Sequence, residues 1–130
     1  MTPMEAATLY AGLSAILLLV LKVNVARVRI AEKVMFGDGA NERIQRAIRA
    51  QGNAVEDVPI AMIALMGLGL VGGPVLLIHG TGIMLMAGRL LHAVGLGNST
   101  GSSFGRSFGT LLSFLAMVVI AIAAIWCAVA

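Results

Sequence analysis

The 130 residues are 59% hydrophobic and 12% charged, with a mean hydropathy of +0.98 and a formal net charge of +3. A soluble domain of this size needs more polar side chains to cover its surface, so lipid is the implied solvent. The length accommodates about four spans of roughly 20 residues each, with short loops and no room for a soluble domain. The apolar runs are continuous rather than alternating, which indicates helices and not a barrel.

The opening Met1-Thr2-Pro3-Met4-Glu5 carries no basic residue, so the first apolar run reads as a retained span and not a cleaved signal. That span covers about Ala6 to Val28, with no charge from Ala6 to Leu21. Lys22, Arg27, Arg29 and Lys33 follow on the same helical pattern. Phe36-Gly37-Asp38-Gly39-Ala40-Asn41 reads as a turn centred on Asp-Gly, and Asn41 as the N-cap of a second helix. The second helix begins with the polar Glu42-Arg43-Ile44-Gln45-Arg46 and becomes apolar only after Asp57. Its apolar part, Val58 to Val71, is short for a span unless the polar turn before it lies inside the bundle. Gly72-Gly73-Pro74 forms the next turn, followed by a third span from about Val75 to Leu96. A glycine- and serine-rich segment from Gly97 to Ser103 leads to the fourth, from about Ser107 to Val129, with Trp126 where an interfacial aromatic belongs. Gly101, Gly105 and Gly109 recur every four residues, a spacing that lets one helix approach another closely.

The lone Cys127 has no partner for a disulfide, no Cys/His spacing suits a metal, and the residue reads as a small hydrophobe. Seven of the nine basic residues lie between the apolar cores of spans one and two. The positive-inside rule places that loop in the cytoplasm, both termini outside, and the loop carrying Arg106 back in the cytoplasm. With no soluble basic domain, nucleic acid is excluded as a partner. The basic face is left for anionic lipid or an anionic ligand.

The most informative stretch is Arg46-Ala-Ile-Arg49-Ala-Gln51-Gly-Asn53-Ala-Val-Glu56-Asp57-Val-Pro59. At about 100° per residue, Arg46, Arg49, Asn53 and Glu56 fall at about 0°, 300°, 340° and 280° on one helix face. An ionisable side chain inside a bilayer costs at least about 2.5–3.5 kcal/mol on insertion scales, so this stripe must face protein, water or a ligand. One outcome is an internal pair of Arg49 with Glu56 or Asn53 that joins helices. The other is a ligand site, because Arg27, Arg46, Arg49 and Arg106 outnumber Glu56 and Asp57 at that membrane face. Arg89-Leu-Leu-His92 places a further i, i+3 pair near the same face. His79, near the opposite face, reads as a hydrogen-bonded packing residue.

Arg49-Ala-Gln-Gly-Asn53-Ala-Val-Glu56 with Pro59 resembles the signature of the MAPEG superfamily (membrane-associated proteins in eicosanoid and glutathione metabolism). The resemblance extends through Ala26-Arg27, Arg89-Leu-Leu-His92-Ala-Val-Gly95 and Arg106-Ser-Phe-Gly, and so spans nearly the whole chain. The short loops and the Phe-Gly-Asp-Gly turn look most like its bacterial inner-membrane branch. It implies an all-α four-helix bundle assembled as a homotrimer, binding glutathione between subunits on the cytoplasmic side. Arg27, Arg49, Gln51, Asn53 and Glu56 match the family's glutathione contacts, with Arg46, Arg89 and His92 adjoining them. Arg106 resembles the arginine that stabilises the glutathione thiolate. The sequence departs at Asp57, where a tyrosine often follows the glutamate, and at His92 and Leu96, where tyrosines are expected.

Three function classes follow. One is a membrane-bound glutathione transferase or peroxidase acting on lipophilic electrophiles. Another is a non-catalytic relative holding a lipid or partner in the intersubunit groove. The third, a proton-coupled drug exporter, needs a carboxylate inside span one, and Ala6 to Leu21 has none. The topology itself is open to test: reporter fusions after Gly39 should report cytoplasm, and fusions at Ala130 the outside. An external signal at Gly39 would reverse the placement of the basic face.

Overall fold

The computed structural model describes residues 1–98, 101 and 103–130, and among these the chain is entirely helical. Helix α1 runs Pro3–Glu32, α2 Glu42–Leu70, α3 Val75–Asn98 and α4 Phe104–Val129. Each is long and apolar enough to cross a membrane. At 1.5 Å per residue, α1 and α2 reach roughly 45 Å against a hydrocarbon core of about 30 Å. They overshoot the lipid at one end, where Val25 and Val28 pack on Ile44 and Ala47 in a small second core.

Local chemistry sets the ends. Thr2 caps α1 in a reciprocal box with Glu5. Asn41 caps α2 as expected, its side-chain oxygen accepting from the backbone N–H groups of Arg43 and Ile44. Between them the chain turns through left-handed Lys33, Gly37, Gly39 and Ala40. Asp38 fastens this turn by accepting from the Ala40 N–H and from Gln45 Nε2. Those bonds hold its carboxyl below the usual carboxylate range, the Ala40 bond contributing most. The stabilisation is complete above that ordinary range and disappears as pH falls through the lowered value.

Helices α2 and α3 form the middle pair, with α1 and α4 flanking them on opposite sides. The main core joins Tyr10, Leu17 and Leu21 of α1 to Val58, Leu65 and Leu68 of α2, Ile78 and Leu85 of α3, and Ala116 and Ile120 of α4. Outward faces are apolar too: Ile16 and Leu19 on α1, Ile63 on α2, and Ile122 and Ile125 on α4 are all exposed. Such a surface is suited to lipid and not to water. In the polar turn of α2 before Val58, Ala54 is buried and Asn53 and Asp57 are half-buried toward the bundle, while Val55 and Glu56 are exposed. Near the far end, Tyr10 Oη lies 2.8 Å from His79 Nδ1, the packing role expected of His79.

Helices α3 and α4 meet through glycine. A Cβ at Gly109 would stand 2.5 Å from the Gly88 carbonyl oxygen and 2.6 Å from His92 N. Gly105 likewise abuts the Leu91 carbonyl and Gly95. The expected glycine face is therefore real at Gly105 and Gly109, and Gly101 lies before the start of α4. Because the obstructing atoms at Gly109 are backbone, Gly109→Ala should destabilise the bundle by about 1–3 kcal/mol. Gly12, with nothing within 4 Å of its notional Cβ, is the control. Gly12→Ala should be neutral or slightly stabilising in the same thermal unfolding assay in detergent.

Candidate functional site

The polar residues of α2, α3 and α4 converge where the bundle meets the overshooting end. Arg89 of α3 is the pivot, a guanidinium only 2% exposed. Its Nη1 lies 2.8 Å from Asp57 Oδ2 of α2 and donates to the Asn53 carbonyl at 3.2 Å. Its Nε donates to Ser113 Oγ of α4 at 2.9 Å, and the Ser113 hydroxyl in turn donates to the Gly109 carbonyl. One side chain thus ties three helices. Nη2 is buried without a partner.

His92 makes a second tie. Its Nε2 sits 3.0 Å from Asn53 Nδ2 on α2, and its Nδ1 lies 2.9 Å from Thr110 Oγ1 and 3.3 Å from the Arg106 carbonyl on α4. Gly95 lets the start of α4 come close: its notional Cβ would overlap Arg106 N, and Ser103 caps α4 there while donating to the Gly95 carbonyl.

Two polar cavities open around this network. The outer, about 320 Å³, is lined by Glu42, Gln45, Arg46, Arg49, Asn53, Leu96 and Arg106. The inner, about 270 Å³, is lined by Asn53, Glu56, Asp57, Arg89, His92, Arg106, Thr110 and Phe114. Asn53 and Arg106 belong to both walls. The outer cavity has three arginines to one glutamate, and none of the three is in an ion pair among the described residues. Arg46 Nε is buried there without a partner. An unmade hydrogen bond on a buried group costs about 1–3 kcal/mol, more on a charged one.

Seven of the nine site residues expected from sequence therefore assemble: Arg46, Arg49, Asn53, Glu56, Arg89, His92 and Arg106. The other two do not join them within one subunit. Arg27 is exposed on α1 and lines an apolar groove of about 480 Å³ between α1 and α3. Gln51 falls about 140° round α2 from Arg46, off the stripe, and lines neither polar cavity.

The internal pair weighed for Arg49 with Glu56 or Asn53 does not form among the described residues. The buried ion pair is Arg89–Asp57 instead. Asp57, counted from sequence among the acids of that face and as a departure from the family tyrosine, is thus a site residue whose pairing with Arg89 sequence reasoning missed. Its azimuth on α2, about 20° from Arg46, already placed it on the polar stripe. Ser113 and Thr110 were also overlooked. The signal for Ser113 was its place four residues after Gly109 on the small-residue face of α4.

Fold and site together define a multi-pass, helical integral membrane protein with an arginine-rich polar pocket at one end of its bundle. The chain belongs to the MAPEG family, whose model, described as "MAPEG family", matches residues 7–126. It is 44% identical over 87 residues to "Inner membrane protein YecN" of Escherichia coli strain K12, and equally to the protein of that name in E. coli O6:H1. The match covers 67% of this chain and 66% of each relative, just under two thirds of the relative's length. No solved structure matches the chain.

The Arg89–Asp57 pair yields a sharp test of what holds the site together. Asp57→Asn strands a buried guanidinium and should cost about 3–5 kcal/mol, whereas the apolar double variant Asp57→Leu/Arg89→Met should recover most of that loss. Chemical or thermal unfolding in detergent measures both. Equal losses in the single and double variants would show that the pair contributes through shape and not charge.

Proposed function

We propose that this protein binds glutathione at the paired polar cavities and activates its thiol toward lipophilic electrophiles or lipid hydroperoxides, as a microsomal-type glutathione transferase or peroxidase. The observation that carries this is the surplus of arginine over carboxylate at the outer cavity. Glutathione has two carboxylates for Arg46 and Arg49 to clamp and an α-ammonium for Glu56 to accept from. Arg106, on the wall shared with the inner cavity, stands where a cation would favour the thiolate over the thiol. The thiol proton leaves to solvent. The thiolate then adds to an electrophilic carbon and solvent returns a proton to the adduct, or it attacks a hydroperoxide oxygen. In that case the O–O bond breaks, an alcohol leaves, and a second glutathione converts the sulfenic acid to disulfide and water.

In the homotrimer that the family resemblance implies, Arg27 and Gln51 complete a neighbour's site, which accounts for their place outside the cavities of one subunit. The site then lies at the cytoplasmic face of an inner membrane, with both termini outside. Native mass spectrometry should give a species three times the 13.4 kDa chain. A monomer that binds glutathione normally would remove Arg27 and Gln51 from the site.

A second reading, a non-catalytic relative that holds a lipid, draws on the apolar groove of about 480 Å³ beside Arg27. One experiment separates the two. Stopped-flow absorbance of the bound thiolate across pH should show a lowered thiol pKa in the parent and a raised one in Arg106→Ala, with glutathione affinity within a few-fold. Each unit of that difference is about 1.4 kcal/mol of thiolate stabilisation. Binding with no thiolate in the parent would favour the non-catalytic reading. An unchanged thiol pKa in the variant would reduce Arg106 to a membrane anchor.

A further inference from the structure

The hydrogen bonds around His92 determine more than its position. On its Nδ1 side the Arg106 carbonyl can only accept, and the Thr110 hydroxyl spends its own proton on that same carbonyl at 2.9 Å. Thr110 Oγ1 therefore offers a lone pair to Nδ1, at 2.9 Å. Both neighbours accept, so Nδ1 carries the ring proton. Nε2 of the neutral ring then holds a lone pair, and Asn53 Nδ2, 3.0 Å away, donates to it. This orientation leaves Asn53 Oδ1 as the amide atom for the wall common to both cavities.

We propose that His92 is a positioning residue that sets the hydrogen-bonding polarity of the ligand site by fixing which end of the Asn53 amide faces it. With a neutral His92, Asn53 presents an acceptor, suited to a ligand N–H or ammonium. A second ring proton turns Nε2 into a donor, and two donors cannot share that contact. The Asn53 amide must then rotate by about half a turn to give Oδ1 to Nε2–H, and its NH₂ becomes the group facing the cavities. A tyrosine at position 92 could not do this, because its hydroxyl stays neutral across the same pH range. The charged groups around the ring are Glu56 and Asp57 of α2, Arg89 on its own helix and Arg106 of α4, and α1 contributes nothing to the lining of that cavity. His92 is 6% exposed, so a proton reaches it through the cavity mouth and not from bulk water directly.

This deepens the glutathione reading, and its binding arm rests on that reading, but its spectroscopic arm does not. The chain has two histidines, so ¹⁵N-labelled imidazole resonances of the ligand-free protein in detergent are assignable with a His92→Gln variant. At neutral pH His92 should be the Nδ1–H tautomer. As the pH is lowered from 8 its Nε2 should take a proton, and the Asn53 side-chain NH₂ resonances should shift along the same curve. The binding arm uses S-methylglutathione, which has no thiol to ionise and keeps a constant charge across that titration. Its affinity should fall roughly ten-fold in the parent, the loss of one hydrogen bond to a charged group, and stay level in His92→Gln. The Nε2–H tautomer, a ring that takes no second proton before the protein unfolds, or an Asn53 amide indifferent to the titration would each overturn the proposal, whether or not glutathione binds. Failure of glutathione to bind, with the spectroscopic coupling intact, would instead overturn the proposed ligand and leave the role of His92 standing.

Discussion

Burying a guanidinium in a membrane-spanning helix is the constraint around which this molecule is organised. Arg89 cannot face lipid, and it is almost wholly excluded from water. It needs an anion and several acceptors at fixed positions, and the chain supplies them from two other helices: Asp57 and the Asn53 carbonyl from α2, Ser113 from α4. Meeting that demand fixes the rotation of α2 and α4 about α3. The glycines at 88, 95, 105 and 109 then serve the same end, since only a close α3–α4 approach brings Ser113 and Thr110 within reach of Arg89 and His92.

The same rotation that satisfies Arg89 turns Arg46, Arg49 and Glu56 toward the cavities instead of toward lipid. Framework and site thereby separate by residue. Arg89, Asp57, Ser113, His92 and Thr110 spend most of their hydrogen-bonding capacity inside the bundle, whereas Arg46, Arg49 and Arg106 line open volume with no ion pair among the described residues. Asn53 belongs to both sets. Cavity walls built this way are preorganised, because they rest on helices already held by interior bonds.

Much of this was legible in the residues. The four spans, the Asn41 cap, the Asp-Gly turn and the hydrogen-bonded packing of His79 all follow from patterns local to one segment. So does the α2 stripe, since azimuth depends on spacing alone. What could not be read was which residue of α2 would meet Arg89. Asp57 and Glu56 both lay near the stripe, and the choice depends on where α3 sits across the bundle. The family pattern also drew attention to the missing tyrosine at position 57 and away from the carboxylate that replaced it. Ser113 and Thr110 were hidden for a related reason: in a helix this apolar, an isolated hydroxyl reads as tolerated and not as a partner.

The central claim is that the free arginines exist to hold the carboxylates of a peptide-like anion. Calorimetric titration of the purified protein with glutathione, and in parallel with its diethyl ester, tests it most directly. The ester keeps the thiol, the peptide and the ammonium but presents no carboxylate to Arg46 and Arg49. The account predicts saturable binding of glutathione and a loss of affinity of at least roughly ten-fold for the ester. Equal affinity for the two, or no saturable binding of either, would contradict it.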